Sequence, residues 1–380
     1  MRILLVHDFY QIPGGEDSVV REEFALLRNN GVDVELFSVS NNKIKGGLGA
    51  LAAGLMLVYN PWSRRALAKK LATFAPDVVH VHNFFPLLSP SIFDACRKAG
   101  VPSVMTLHNF RMLCPSPLLY PEWAFNETSL TRSCWWTIPK RAYRNSALAT
   151  LSLATMIEFH KWNGTWTRKV DRFVALSNSA KETFTLGGLP ADRIVVKPNC
   201  TARPSAGHSN RRDGALFVGR LDEQKGLKTL LEAWESVDYP LTIIGDGPLA
   251  SLVLKSKRDC IRYLGPQPRA AVMKEMQCAR VLVLPSLGHE MFPMTVVEAF
   301  ANQLPVIGSE LSSLAELITP NITGLTFPPA DASALAERVR WAAAHPSALE
   351  DLGERARAIY EERYTPEANF KRLLSIYQSL

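Results

Sequence analysis

Short apolar runs alternate with stretches of helical spacing along most of the chain. Residues 2–7 form an apolar run of strand length. Gly14 and Gly15 follow, and then Val19, Val20, Phe24, Ala25 and Leu27 recur on what reads as the buried side of a helix. Gly31 closes that helix and residues 32–37 alternate as a second strand, completing a βαβ unit with glycines at its first strand-to-helix turn. Further strand-like runs begin at Asp77 and Ser103, and each ends on a His-Asn pair, His82-Asn83 and His108-Asn109. Residues 171–177 read as the last strand of this set, and 194–200 follow a short helix. The pattern restarts at 215–219 and continues at 241–248, 261–265, 281–285, 305–308 and 324–327, with helical patterns between. It predicts an α/β protein with two doubly wound, Rossmann-like parallel sheets. Ligands of such sheets gather at the C-terminal ends of the strands.

The expected organisation is a first domain over 1–200, a polar, basic linker over 201–214, a second domain over 215–362 and a C-terminal helix over 363–380. Two stretches break the rhythm. Residues 43–70 place a nearly all-apolar segment between Lys43, Lys45 and Arg64, Arg65, with Trp62 at its end. Such a segment suits a membrane interface or a polyprenyl-linked acceptor, or else a helix and loop covering the first sheet. Residues 110–170 carry an insertion rich in Trp, Pro and Ser whose aromatics, Tyr120, Trp123, Phe125, Trp135 and Trp136, could stack on sugars or fill a core.

The 380 residues and 47% hydrophobic content are enough for two globular domains. Six cysteines lie scattered without a CxxC pair or zinc-ligand spacing, which argues against a metal site or disulfide framework and for a reducing cytoplasm. The opening apolar run is too short for a signal peptide, and no window reaches bilayer-spanning length. A net charge of +7 attracts phosphates, but no Lys/Arg run or zinc-finger spacing supports nucleic acid as the partner. The first turn also lacks the Gly-x-Gly-x-x-Gly spacing of a dinucleotide site.

The candidate chemistry centres on residues 286–300. Glu290 and Glu298, with seven residues between them, flank a predicted strand-to-helix junction in which Pro293 suits the first helical position. Unpaired amides at such a junction suit a phosphate, through the backbone of Phe292 and Met294. Two glutamates beside a phosphate want neutral donors, and the vicinal hydroxyls of a ribose and of a sugar fit. Solvated charges on an ordinary loop are the plain alternative. Upstream, Arg220 and Lys225 sit on the turn after a glycine-ended strand.

Glu290-Met291-Phe292-Pro293-Met294-Thr295 with Glu298, and Gly219-Arg220-Leu221 with Lys225-Gly226, resemble the donor-site motifs of the retaining glycosyltransferases of family four. The resemblance spans the chain and implies the GT-B fold, two Rossmann-like domains facing across a cleft, and transfer of a sugar from a nucleotide donor without a cofactor or metal. It implies that Glu290 contacts the donor sugar, Glu298 the ribose, Arg220 and Lys225 the diphosphate, and Tyr263 and Leu264 the base. Phe292, Met294 and Thr295 join the donor site, Gly15 lies by the donor diphosphate, and His108 reaches the donor sugar at the reacting centre. Asn109 stands where members often have Asp, and Met291 and Pro293 where glycines are common. Gly14, His82 and Arg111 fall on the acceptor side. UDP-glucose is the expected donor and GDP-mannose the second choice. The expected acceptor is a saccharide or a polyprenyl-linked saccharide in envelope polysaccharide synthesis, met in the cytoplasm or at the inner face of the membrane. The alternatives are a sugar-nucleotide epimerase of the same architecture or a module that only binds its nucleotide.

Overall fold

The computed structural model describes residues 1–11, 14–41, 54, 56–116, 130–204 and 212–380. Tyr120, Trp123 and Phe125, most of the apolar part of 43–70 and the middle of the predicted linker lie outside the described residues. The chain divides into two compact units, one of Met1–Pro198 with Phe370–Leu380, the other of Asn199–Asn369.

Unit one holds a six-stranded parallel sheet: β1 (Arg2–Phe9), β2 (Asp33–Ser40), β3 (Val78–Val81), β4 (Ser103–Leu107), β5 (Arg172–Ala175) and β6 (Ile194–Val196), in the order β2-β1-β3-β4-β5-β6. The chain reverses its direction of travel between β1 and β3, and the loops leaving those strands open a crevice there. Residues 171–177 were expected to end this sheet, yet β6 pairs in parallel beyond β5. Its three residues at the sheet edge, two of them only half-buried, carry too little periodicity to be read as a strand. Helix α1 (Gly15–Asn29) buries Val19, Val20 and Leu27, but Ala25 is exposed and Glu23 takes the inward place. Its first turn carries Glu16 and Asp17, two carboxylates at the positive end of the helix.

Unit two repeats the plan with β7 (Ala215–Val218), β8 (Leu241–Ile244), β9 (Ile261–Tyr263), β10 (Val281–Leu284), β11 (Val306–Ser309) and β12 (Gly324–Phe327). All pair in parallel in the order β12-β11-β10-β7-β8-β9, so β7 and β10 flank the point where the winding reverses. All four residues of β10 are buried, as an unbroken apolar run predicts for a strand covered on both faces. Helix α2 (Met294–Ala301) follows β10 with Pro293 as its N-cap, one position outside the helix and not at its first residue. A core of Phe217, Leu230, Trp234, Val283, Ile307 and Phe327 fixes the two loops at the switch point to one rigid layer.

Candidate functional site

In unit two the loops after β7 and β10 are locked to each other. The Leu287 and Gly288 amides donate to the Gln224 carbonyl at 2.7 and 3.1 Å. Gly226 adopts φ +70°, and a Cβ built there would lie 1.7 Å from the Pro285 carbonyl oxygen. Only glycine lets the loops approach this closely. That approach brings Lys225 Nζ to 2.7 Å from Glu290 Oε2, with the lysine 29% and the glutamate 16% exposed. The Ser286 hydroxyl donates to Glu290 Oε1 at 2.6 Å, and the Ser313 hydroxyl donates to the Glu290 carbonyl at 2.7 Å. Lys225 and Ser286 thus hold the Glu290 carboxylate, and Ser313 its backbone carbonyl, in one orientation.

Arg220, whose side chain is 63% exposed, pairs with Asp222, and Asp222 accepts the Lys225 amide at 2.9 Å. Glu298 pairs with a base from another element: Arg269 Nη2 lies 3.1 Å from its Oε1. The structure therefore joins Lys225 to Glu290, keeps Arg220 on the same loop, and gives Glu298 a different cation. Met294 and Thr295 occupy the first turn of α2, where amides lack intrahelical partners. Phe292 is buried against the Tyr364 ring at 5.9 Å. Tyr263 ends β9 with its hydroxyl donating to the Gly245 carbonyl at 3.0 Å, and Leu264 follows it. Burial pushes the neighbouring His289 down to about 4, so a neutral ring stands beside the glutamate.

Unit one presents its own set of groups at the ends of β1, β3 and β4. Gly14 is the N-cap of α1, and its amide donates to Asp17 Oδ2 at 3.0 Å; Asp17 Oδ1 lies 2.7 Å from His7 Nε2. Neither Gly14 nor Gly15 has a positive φ, and a Cβ would meet only Tyr10 at 3.8 Å or nothing within 4 Å. The fold of this unit gives no steric reason for either glycine. Arg111 donates to the Tyr10 hydroxyl at 2.9 Å and lies over the Phe85 ring at 4.4 Å. Burial pushes Glu16 upward while Arg111 opposes it, and Asn109 donates to its Oε2 at 3.3 Å. Asp8, fully buried, accepts the Leu87 amide at 2.7 Å; burial raises it to about 7.

His82 and His108 meet: Nδ1 of the first lies 3.0 Å from Nε2 of the second, with stacked rings. Behind them Glu23, His80 and His82 gather donor atoms within 4.8 Å, a geometry that could hold a metal. Lys197 Nζ, 3.1 Å from Glu23 Oε2, already supplies the positive charge in that buried place. A separate cavity of about 540 Å³, walled by Leu113, Leu130, Trp166 and Leu189, contains none of the residues singled out in the sequence.

The motif reading missed Asp222, Ser286, Ser313 and Arg269, which are short polar or basic residues with no distinguishing spacing. It missed Glu23 as well, though a carboxylate between Val20 and Leu27 on an apolar helix face was a readable signal.

Residues 201–359 match the family model described as glycosyl transferases group 1, and residues 13–201 match glycosyltransferase family 4. The D-rhamnosyltransferase WbpZ of Pseudomonas aeruginosa is 33% identical over 162 residues, 40% of this chain and 41% of that protein. A phosphatidyl-myo-inositol mannosyltransferase of Mycobacterium leprae is 25% identical over 364 residues, 89% of this chain and 86% of that protein. Among solved structures, Anabaena Alr3699/HepE in complex with UDP matches with a TM-score of 0.71 at 16% identity, covering 100% of both chains. At that identity the likeness is one of fold.

Proposed function

The chain belongs to the glycosyltransferases of family 4, and from that premise we propose that it moves a sugar from a nucleoside-diphosphate donor to a saccharide or lipid-linked saccharide in polysaccharide synthesis. The observation that carries the proposal is the Lys225–Glu290 pair clamped across two loops at the switch point of unit two. A cation and an oriented carboxylate side by side, next to unpaired helix-start amides, match the alternation of phosphate and hydroxyls in a sugar nucleotide. Glu298, with Arg269 beside it, takes the ribose; Tyr263 and Leu264 border the base. UDP-glucose is the first donor to test and GDP-mannose the second. HepE is known in complex with UDP, whereas one relative above is a mannosyltransferase.

The reaction breaks the bond between the anomeric carbon and the diphosphate oxygen and forms one to an acceptor hydroxyl. In the retaining course proposed here, attack comes from the face the diphosphate leaves. The departing phosphate oxygen takes the hydroxyl proton, and Arg220, Lys225 and the α2 start stabilise the charge that develops. These cations do the electrostatic work a metal would do, so EDTA should leave turnover unchanged. Two glycines without a steric reason at the start of α1 support a close approach by donor phosphate or acceptor at Gly14 and Gly15. Arg111 is assigned to the acceptor side; His82, buried with its two ring nitrogens at Glu23 and His108, reaches that side only through His108.

No described helix is long and apolar enough to cross a membrane. Trp62, Leu148 and Trp162 are 62%, 71% and 82% exposed, and with the surrounding bases they support peripheral contact with an anionic bilayer that carries the acceptor. Release of nucleoside diphosphate from UDP-glucose or GDP-mannose tests the proposal. Lys225→Met and Glu290→Gln should each lose on the order of 10²–10³ in turnover. Epimerised sugar, or bound donor that stays unchanged, would replace the transferase reading.

A further inference from the structure

Behind His108 four groups stand in one line of polar contacts. Lys197 Nζ lies 3.1 Å from Glu23 Oε2; Glu23 Oε1 lies 3.0 Å from His82 Nε2; His82 Nδ1 lies 3.0 Å from His108 Nε2. They come from the ends of β6, β3 and β4 and the middle of α1, and the first three are at most 4% exposed. A contact between two imidazole nitrogens needs one proton, and the far end of the line decides which ring holds it.

The ammonium of Lys197 can only donate, so Glu23 beside it is an ionised acceptor. Burial alone would raise that carboxyl, but Lys197, His82 and His80 outweigh it and hold it well below the usual range. His82 must then carry its proton on Nε2. Burial pushes His82 down to about 4, so the ring is neutral, has only that proton, and offers a lone pair at Nδ1. His108 Nε2 must donate to it, and His108, also driven down by burial, keeps a bare Nδ1. The neighbouring His80 shares the same Glu23 oxygen without displacing His82, since an ionised carboxylate oxygen has lone pairs for two donors. The His80 Nε2 meets Thr106 at 2.7 Å, and its Nδ1 meets the Tyr377 hydroxyl at 2.6 Å while lying 3.1 Å from Glu23.

We propose that Glu23, anchored by Lys197 and acting through His82, locks His108 in the Nε2–H form, so that Nδ1 serves as a hydrogen-bond acceptor for a hydroxyl of the bound saccharide. Glu23, Lys197 and His82 are positioning residues. The identity of the ligand rests on the transferase reading above; the tautomer does not. A histidine fixed this way recognises a sugar hydroxyl as donor and cannot act as a proton donor to the leaving group at neutral pH.

Long-range ¹H–¹⁵N correlation of the full chain labelled at histidine, at pH 7.5, reads which nitrogen holds each proton. Signals are assigned by loss in His82→Gln and His108→Gln. The expected result is a protonated Nε2 and a bare Nδ1 in both rings; a proton on His108 Nδ1 overturns the proposal. Glu23→Gln keeps an amide oxygen that can still accept from His82 and sets a neutral group beside the buried Lys197, so Glu23→Met/Lys197→Met, which has no acceptor at 23, is the companion variant. It keeps the volumes and removes both charges together. In the folded double variant, His108 should become a mixture of the two tautomers. With the preferred donor, kcat/KM should fall about tenfold, the loss of one oriented hydrogen bond. An unchanged tautomer in that variant would reduce Glu23 to a packing role and overturn the inference. If the wild-type tautomers are as expected but no nucleotide sugar turns over, the transferase reading fails and the lock stands.

Discussion

Asp8 shows what a single buried carboxyl does to this protein. Its folded value of about 7 lies above the ordinary 3.8, because burial disfavours the charge more than the Leu87 amide favours it. A raised acid gives a penalty that is absent below pH 4, grows as pH rises to 7 and is full above that. Asp8→Asn should therefore stabilise the chain, by up to about 4 kcal/mol at pH 8 and by progressively less toward pH 4. Urea unfolding across that range measures it, and a pH-independent effect would contradict the assignment. Gly15→Ala belongs to the same scale. With no neighbour within 4 Å it should cost no stability, and its removal should still slow sugar transfer if a substrate approaches that backbone. Turnover and melting temperature measured together separate the two.

At the scale of elements, the most demanding contact is Gly226 against Pro285. Gly226→Ala adds a Cβ where a carbonyl oxygen already lies and forces a left-handed backbone on a residue that resists it. Loss of several kcal/mol of stability is expected. Denaturant unfolding of the variant measures that loss, and a stable, active protein would mean that the β7 and β10 loops need not touch. This scale also separates what the sequence discloses from what it hides. Parallel strands buried on both faces read as unbroken apolar runs, so Val281–Leu284 and its companions were legible, and the doubly wound, parallel character of the sheets followed from the strand–helix alternation, whereas the order of the strands did not. The glutamate and base motifs were legible because their spacing is set by one strand-to-helix turn each. Their partners were not. Arg269 meets Glu298 from another helix, and Lys197 meets Glu23 across 174 residues, distances over which local pattern carries no signal.

Across the whole molecule, charge state follows burial. His82 and His160 in unit one and His289 in unit two are each pushed down to about 4, and His7 and His108 are lowered as well. Groups held neutral in the fold but free to protonate when unfolded give stability that is whole above about pH 6.5 and drains away toward pH 4. Unit one sets four of these histidines and the depressed Glu23 against two raised carboxyls, Asp8 and Glu16, so acidification should destabilise it on balance. Calorimetry from pH 7.5 to 5 should show a falling melting temperature, and a rising one would contradict these protonation states. The central claim is that the β7 and β10 loops of unit two together hold a sugar nucleotide. Calorimetric titration of UDP and GDP into the wild type and Lys225→Met tests it most directly. Saturable binding of one diphosphate, lost in the variant, is the predicted result; no binding of either, or binding indifferent to Lys225, would contradict it.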